Sequence, residues 1–481
     1  MPAALVRLPA AAPTPTVPRG ARPLAALPLY TTVLDWVTEA LDGRPYSRPL
    51  CKRLALLLTG LLVGGRATVS ALAATIHGLH VTPAQEASIV RRFQRLVADV
   101  RLDPARLLAD VLATRLPVAL AAVSAAHHQD RGPGPWIRLV IDESSVRDHT
   151  HLVQIGWALP GLVLPLAIRT WPQNTPQPEA AYWTEVDAAC LQVQRLLPPE
   201  VRAHVVLVAD RFYGVPHLLD LCHQLGWHVL VRAQGQIRLR VGTDGPVRTL
   251  RSLVPGPGTA WYGGWGLDAA WLPSAPATAT EATATATAAE AEAEAEAVWI
   301  FKKAGWRRVQ VAASWIQGQA EPWLIVTTLP ATPAALEVYA HRWAIERTFL
   351  AWKSHGWDLE ACGVTDPVQV AHLLSGVALA TWWRVALALP LLEEALADLA
   401  PSAASDRPRQ LRLPLGPDPR WAHRPWIAKF SLLTWGAKAL SAVDPRTQTP
   451  ALTWTVPPWS ATTWTAHCRA ITAAARAAPA A

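Results

Sequence analysis

A chain of 481 residues, 51% hydrophobic and 17% charged, has room for roughly two to four domains with real cores, which excludes a wholly disordered chain and a small scaffold dependent on staples. Lys plus Arg number 44 against 36 Asp plus Glu, a net charge of +8, and all but six of the basic residues are Arg. A surplus of planar, permanently charged forks suits phosphate and makes nucleic acid the first partner to test; a codon-composition bias would produce the same excess, so motifs must decide.

The first 28 residues carry Arg7, Arg19 and Arg22, no acid and several prolines, and read as a disordered basic arm. Residues 29–130 form a helical N-terminal domain, with apolar side chains at three- and four-residue spacing through 54–62, 69–76 and 84–97. The run 69–76, a break at Gly78, and a helix opened by Thr82-Pro83 that carries Arg91, Arg92 and Arg95 are compatible with a helix-turn-helix-like pair. An ordinary bundle with a solvated face reads the same way. Cys51, Cys190, Cys222, Cys362 and Cys468 are odd in number and form no Cys-x-x-Cys pair, which argues for reduced thiols in a cytosolic setting and against a zinc ribbon.

The Pro/Gly-rich stretch 131–135 marks a boundary, after which the period turns strand-like. Segments 136–142, 151–159 and 162–170 read as three strands, 180–197 as an amphipathic helix, 205–209 as an all-apolar buried strand, 215–225 as a helix and 227–231 as a strand. This is the element order of an RNase H-like domain, α/β in class, spanning 134–395. A β-rich insertion follows at 241–330, with β-prone runs at 298–301, 309–315 and 323–328. Inside it, the Ala/Thr/Glu low-complexity stretch 275–297 cannot supply a packed core. A long helix starts with Thr332 as N-cap and Pro333 at its first position, and runs to Ser354 or His355 before Gly356. The most membrane-like stretch, 373–392, has Arg384 as its only charge. An Arg at mid-span is costly in lipid and no second span accompanies it, so a buried helix and no membrane partner are expected. Residues 396–481 form a Pro/Arg- and Ala-rich C-terminal segment with a short amphipathic run at 427–440.

Asp142 ends the first apolar strand and Asp210 ends the buried run. Carboxylates at the ends of neighbouring central strands sit close together and repel unless a cation joins them, which is a metal-site geometry. Taken singly, each is better explained as a residue that caps a strand or starts a turn. Glu143 and Asp148 are nearby acids that could replace or assist Asp142. On the long helix Tyr339, Arg342, Glu346 and Lys353 fall at roughly 0°, −60°, −20° and −40°, one stripe flanked by Ile345, Phe349 and Trp352. A solvated face with a Glu346–Arg342 pair, worth only about 0.3–0.5 kcal/mol, is the alternative. It leaves a Tyr in line with both cations unexplained.

Tyr339-x-x-Arg342-x-x-x-Glu346-x-x-x-x-x-x-Lys353 resembles, spacing for spacing, the Tyr-Arg-Glu-Lys signature of the insertion-sequence-four family of bacterial DDE transposases. Asp142 in an Ile-Asp-Glu-Ser context, Asp210 in Ala-Asp-Arg-Phe-Tyr-Gly and a β-rich insertion before the Glu support the resemblance over about residues 134–395, and the helical region 54–95 resembles that family's DNA-binding part. The resemblance implies an RNase H-like catalytic domain in which Asp142, Asp210 and Glu346 are catalytic and hold two Mg²⁺ ions, with Mn²⁺ as a substitute, for in-line displacement at phosphorus. Arg342 and Lys353 would grip phosphates beside the scissile bond, Tyr339 would contact the same strand, and Arg91, Arg92 and Arg95 would bind DNA. The partners implied are the terminal inverted repeats and target DNA, both double-stranded, engaged by a homodimer in the bacterial cytosol at the nucleoid. Excision would be of the cut-and-paste kind, through hairpin ends. A Trp of the insertion, among Trp299, Trp306, Trp315 and Trp323, would hold a flipped base. Two alternatives are an RNase H-like nuclease without strand transfer and a catalytically idle, element-derived DNA-binding protein.

Overall fold

A computed structural model of the protein describes residues 28–130, 137–159, 161–173, 178–264, 297–399, 432–444 and 448–457. The basic arm up to residue 27, the low-complexity stretch 275–296 and most of the C-terminal segment lie outside the described residues. Five helices come first: α1 (Pro28–Ala40), α2 (Arg48–Gly64), α3 (Val69–Gly78), α4 (Glu86–Val97) and α5 (Pro104–Asp130). Gly65 stops α2 in the left-handed region at φ 63°, its N–H returning to the Leu61 carbonyl. Helix α4 begins at Glu86, later than the expected opening at Thr82-Pro83. The Thr82 hydroxyl instead accepts the Ala84 N–H in a turn of its own. Ile89, Phe93, Leu96 and Val97 face inward from α4, and Arg91, Arg92 and Arg95 are exposed.

The sheet is built from β1 (Ile137–Val146), β2 (Thr150–Leu159), β3 (Leu162–Pro172), β4 (Val205–Ala209) and β5 (His228–Arg232), in the order 3-2-1-4-5. Strands β1 to β3 are antiparallel neighbours, and β4 runs parallel to β1 and β5. β4 is apolar and buried at every position, as a central strand covered on both faces must be. Between β3 and β5 the chain crosses over through α6 (Glu179–Leu196), α7 (Pro199–Arg202) and α8 (Pro216–Gln224). This mixed α/β sheet is consistent with an RNase H-like DDE domain. Further strands continue it: β6 (Arg238–Val241), β7 (Arg248–Thr249), β8 (Ala260–Gly263), β9 (Val298–Ile300), β10 (Arg307–Ser314) and β11 (Trp323–Thr327), with β11 antiparallel to β5 and β10 to β11.

The expected single helix over 332–355 comes in three pieces: α9 (Pro333–Ala340), α10 (Trp343–Leu350) and a π-helical turn, Ala351–His355. It starts as expected, with Thr332 as N-cap and Pro333 in the first turn. The break arises because the N–H groups of His341, Arg342, Ala344 and Ile345 all reach back three residues, to Val338, Tyr339, His341 and Arg342, and so tighten the coil. Here the His341 imidazole also meets the Arg138 guanidinium of β1 at 3.0 Å.

A β-bulge anchors two helices to the sheet, and the same strand anchors α10. Pairing of β2 with β3 slips between Ile155 and Gly156, leaving Leu166 as the extra residue. A Cβ on Gly156 would stand 2.4 Å from the Leu164 carbonyl, so the slip requires glycine. The Leu166 carbonyl accepts from Gln192, and Pro165 from Trp382 on α11 (Pro367–Leu399). On the same edge strand Val163 N–H donates to Thr348 Oγ1 of α10 at 2.8 Å. Helix α11 lies inside the protein, as expected of residues 373–392, which are buried almost throughout. Arg384 stands over the Trp357 ring at 4.0 Å, its guanidinium pulled down to about 10 by burial. One expectation is corrected: among the described residues two helices, Pro104–Ala125 and Pro367–Glu394, are by length and composition long and apolar enough to cross a membrane. The N-terminal helices join α11 through His372 on the Leu102 carbonyl and Ser375 on the Pro104 carbonyl, and the segment before it through Trp357 Nε1 on the Leu61 carbonyl. Helix α12 (Leu432–Ala442) packs against α11.

Replacing Thr348 by Val keeps the shape and leaves the Val163 N–H buried without its acceptor. Urea denaturation is expected to show a loss of about 1–3 kcal/mol.

Candidate active site

Parallel pairing of β1 with β4 ends at Ile141 and Ala209, so Asp142 and Asp210 follow side by side, one residue beyond the last pair. Asp142 does not end its strand as expected: β1 runs on to Val146, paired there with β2 alone. Its Oδ1 accepts the Glu143 N–H at 2.9 Å, and Asp210 Oδ1 accepts the Phe212 N–H at 2.9 Å, capping the short turn Arg211–Tyr213.

Glu346 enters from α10. Between it and Asp142 lies Arg342, whose Nη1 donates to Asp142 Oδ2 at 2.9 Å and whose Nη2 donates to Glu346 Oε1 at 2.6 Å. Only 10% of the Arg342 side chain and 15% of Asp142 remain exposed, against 43% of Glu346. Burial pushes the Asp142 carboxyl up to about 6; Asp210 and Glu346 push the same way, and Arg342 and the Glu143 N–H oppose them. For Arg342 burial acts downward, but Asp142, Tyr339 and Glu346 leave the guanidinium raised. Its Nε is buried without a partner.

Tyr339, on α9, is buried, its phenol raised by burial, and it feels Arg342, Arg232 and Asp210. Of the four tryptophans considered, Trp323 lies beside it, edge-on at 5.4 Å between centroids. Trp299 and Trp306 both hold Arg240 against their rings, at 5.7 and 4.7 Å, and Trp315 holds Arg251 at 4.0 Å. Lys353 stands on the π-helical turn, where its ammonium lies 4.0 Å from Glu360. The structure therefore gathers Asp142, Asp210, Tyr339, Arg342 and Glu346, whereas Arg91, Arg92 and Arg95 stand on α4.

Three carboxylates are the donor chemistry that a hard divalent cation takes. Their arrangement does not gather them around one: among the described residues no group of three His, Cys, Asp or Glu is placed to hold a metal ion, and Arg342 takes up oxygens of two of the acids.

Two features escaped the sequence reading. Trp343, half exposed, lies against the Arg342 guanidinium at 5.1 Å, and Phe212, also half exposed, follows Asp210. Glu143, weighed as a substitute for Asp142, is instead engaged by His151, Tyr182 and Tyr213. Tyr213 lies within the Ala-Asp-Arg-Phe-Tyr-Gly motif, which was the available signal.

Residues 185–383 match the transposase DDE domain family. That span holds Asp210, Tyr339, Arg342, Glu346 and Lys353, and begins after Asp142. The match supports a DDE transposase. No curated protein matches the chain.

A carboxyl raised on folding binds its proton more tightly in the native state, so its contribution to stability is complete below about pH 4 and is lost as pH rises through about 6. Asp142→Asn is therefore expected to melt higher than the parent at pH 7.5, by on the order of 1 kcal/mol, and level with it at pH 4. Calorimetry at the two pH values in EDTA checks this.

Proposed function

We propose that this protein is a DNA transposase that binds the terminal inverted repeats of its own insertion sequence, excises the element through hairpin ends and joins it to target DNA. The observation that carries the reading is the meeting of Asp142 and Asp210, from adjacent parallel strands, with Glu346, from the helix laid across them. Placing three acids where burial and mutual repulsion raise Asp142 is unfavourable for folding alone, and such concentrations of charge cluster at functional sites.

Asp142, Asp210 and Glu346 would hold the divalent ions, Mg²⁺ with Mn²⁺ as substitute, which when bound activate the attacking oxygen and stabilise the leaving 3′ oxygen. Arg342, held beside the acids, would turn its fork from them to the phosphate next to the scissile bond. Lys353 would add a point charge on a phosphate beside the same bond. The Tyr339 phenol would bond or stack on the same strand, beside Trp323. Arg91, Arg92 and Arg95, exposed on one helix, would meet duplex phosphates in an N-terminal DNA-binding domain. Strands β7 to β11 would form the β-rich insertion at 241–330. Synapsis of two ends calls for two copies of the chain, in the bacterial cytosol at the nucleoid.

A second reading, an element-derived protein that binds DNA without cutting it, has one observation in its favour: Arg342 occupying two of the three acids. Cleavage assays on DNA carrying the sequences that flank the gene, with Mg²⁺ or Mn²⁺, separate the two. Metal-dependent nicks, hairpins and joined products, lost with Glu346→Gln while end binding persists, are expected of the transposase. Binding without any cut supports the second reading, and cutting without joined products supports a nuclease.

End binding is also expected to weaken steeply with salt. Changing Arg91, Arg92 and Arg95 together to Ala is expected to flatten the slope of log K against log salt by about 2 to 3, measured by fluorescence anisotropy. Arg342→Ala is expected to reduce nicking more than binding, since only one local phosphate loses its fork.

A further inference from the structure

Strands β7, β6, β9 and the start of β10 lie side by side, and in an antiparallel ladder residues directly opposite share a face. Leu239, Val298, Ile300 and Val309 take one face and are buried. The other face carries Arg240 opposite Trp299 and Trp299 opposite Arg308, with Arg238 two residues before Arg240 and Trp306 two before Arg308. This face looks outward: Arg238 is exposed, and Arg240, Trp299, Trp306 and Arg308 are half-buried. At its edge the turn Lys302–Ala304 joins β9 to β10 with both lysines exposed. The Phe301 N–H on the Arg238 carbonyl, at 3.2 Å, keeps β6 alongside that turn.

Charge on these strands is one-sided. Residues 238–263 and 298–314 hold eight Lys and Arg against one acid, Asp244. Two of the eight have places in the fold: Arg307 pairs with Asp220 of α8 at 2.7 Å, and Arg251 lies on Trp315. On the outward face Arg240 lies against two indoles, Trp299 at 5.7 Å and Trp306 at 4.7 Å. Stacking takes up the face of a guanidinium and steadies it, while its N–H donors point outward in the plane. Trp299 and Trp306 are thus engaged as supports for a cation. At about 4.8 Å per strand, Arg240 and Arg308 stand about 10 Å apart with Trp299 between them. The same spacing puts β9 about 20 Å along the sheet from β4 and Asp210. Like charges gathered on one surface repel each other and suit a polyanion.

We propose that the outward face of Arg238, Arg240 and Arg308, with Lys302 and Lys303 at its edge, is a second DNA-binding surface that grips duplex phosphates without reading sequence. It stands about six base pairs from the acids, at about 3.4 Å per pair. The choice of DNA as the polyanion rests on the reading of the protein as a transposase, and deepens it. Phosphate contacts position a duplex and carry no sequence information, so this face adds affinity for any duplex that reaches it.

Fluorescence anisotropy of the full chain in EDTA, over a range of salt, tests it on three probes: a duplex carrying the sequences that flank the gene, an unrelated DNA duplex of equal length, and a duplex RNA. Two variants are compared with the parent, Lys302→Ala with Lys303→Ala, and Arg238→Ala with Arg240→Ala and Arg308→Ala. The lysine pair alters only an exposed turn. It is expected to flatten the slope of log K against log salt by about 2, and the arginine triple by about 3, each weakening both DNA duplexes alike by about 10-fold. Thermal melting accompanies each variant, and if the arginine triple melts early the lysine pair decides alone. Parent affinity and slope in the lysine pair, or in an arginine triple that melts with the parent, would overturn the proposal. Loss confined to the flanking sequence would make the face a reader of bases and overturn it too, as would loss on the RNA alone. A parent that binds neither DNA duplex would instead remove the DNA-binding reading beneath it.

Discussion

Repulsion among carboxylates in a poorly solvated place is the constraint on which the rest of the structure turns. Burial raises the Asp142 carboxyl, and the neighbouring Asp210 and Glu346 push it the same way. Arg342 opposes this with two short donor contacts, at 2.9 and 2.6 Å. A guanidinium is suited to that place because it is planar, always charged and able to reach two acids from one position.

Holding such a group together demands a rigid frame, and each part of the frame answers a local need. The edge strand β3 would expose unpaired backbone groups, and Gln192 and Trp382 at its bulge and Thr348 at Val163 supply them with partners from three helices. One of those helices is α10, so the bond that satisfies Val163 also sets the height of Glu346 above the sheet. The tightened coil at His341 and Arg342 then turns Arg342 toward Asp142, while His341 meets Arg138 four residues earlier on β1.

Much of this was legible in the sequence because it is written locally. β4 appears as an unbroken apolar run because both its faces are covered, and the stripe of Tyr339, Arg342 and Glu346 appears because helical spacing is short-range. The break between α9 and α10 was not legible, since it depends on contacts with β1 rather than on any Gly or Pro in the run. Nor was the partner of Arg342, 200 residues away, or those of Glu143, at 39 and 70 residues for the two tyrosines. Pairings at such separations are set by strand register, and register follows from the whole sheet.

Asp142 and Glu143 show how far register reaches. As letters they are adjacent acids of nearly equal chemistry, and composition cannot rank them. The pleat sends one to the helix carrying Arg342 and Glu346 and the other to a pocket of tyrosines and a histidine, so they acquire different surroundings from a single alternation. A slip of one residue between β1 and β4 would exchange them, bringing Glu143 beside Asp210 and turning Asp142 into the aromatic wall. Pairing from Ile137 with Val205 through Ile141 with Ala209, apolar and buried except at Arg138, is what forbids that slip. The chemistry of the site is therefore specified by apolar residues that take no part in it.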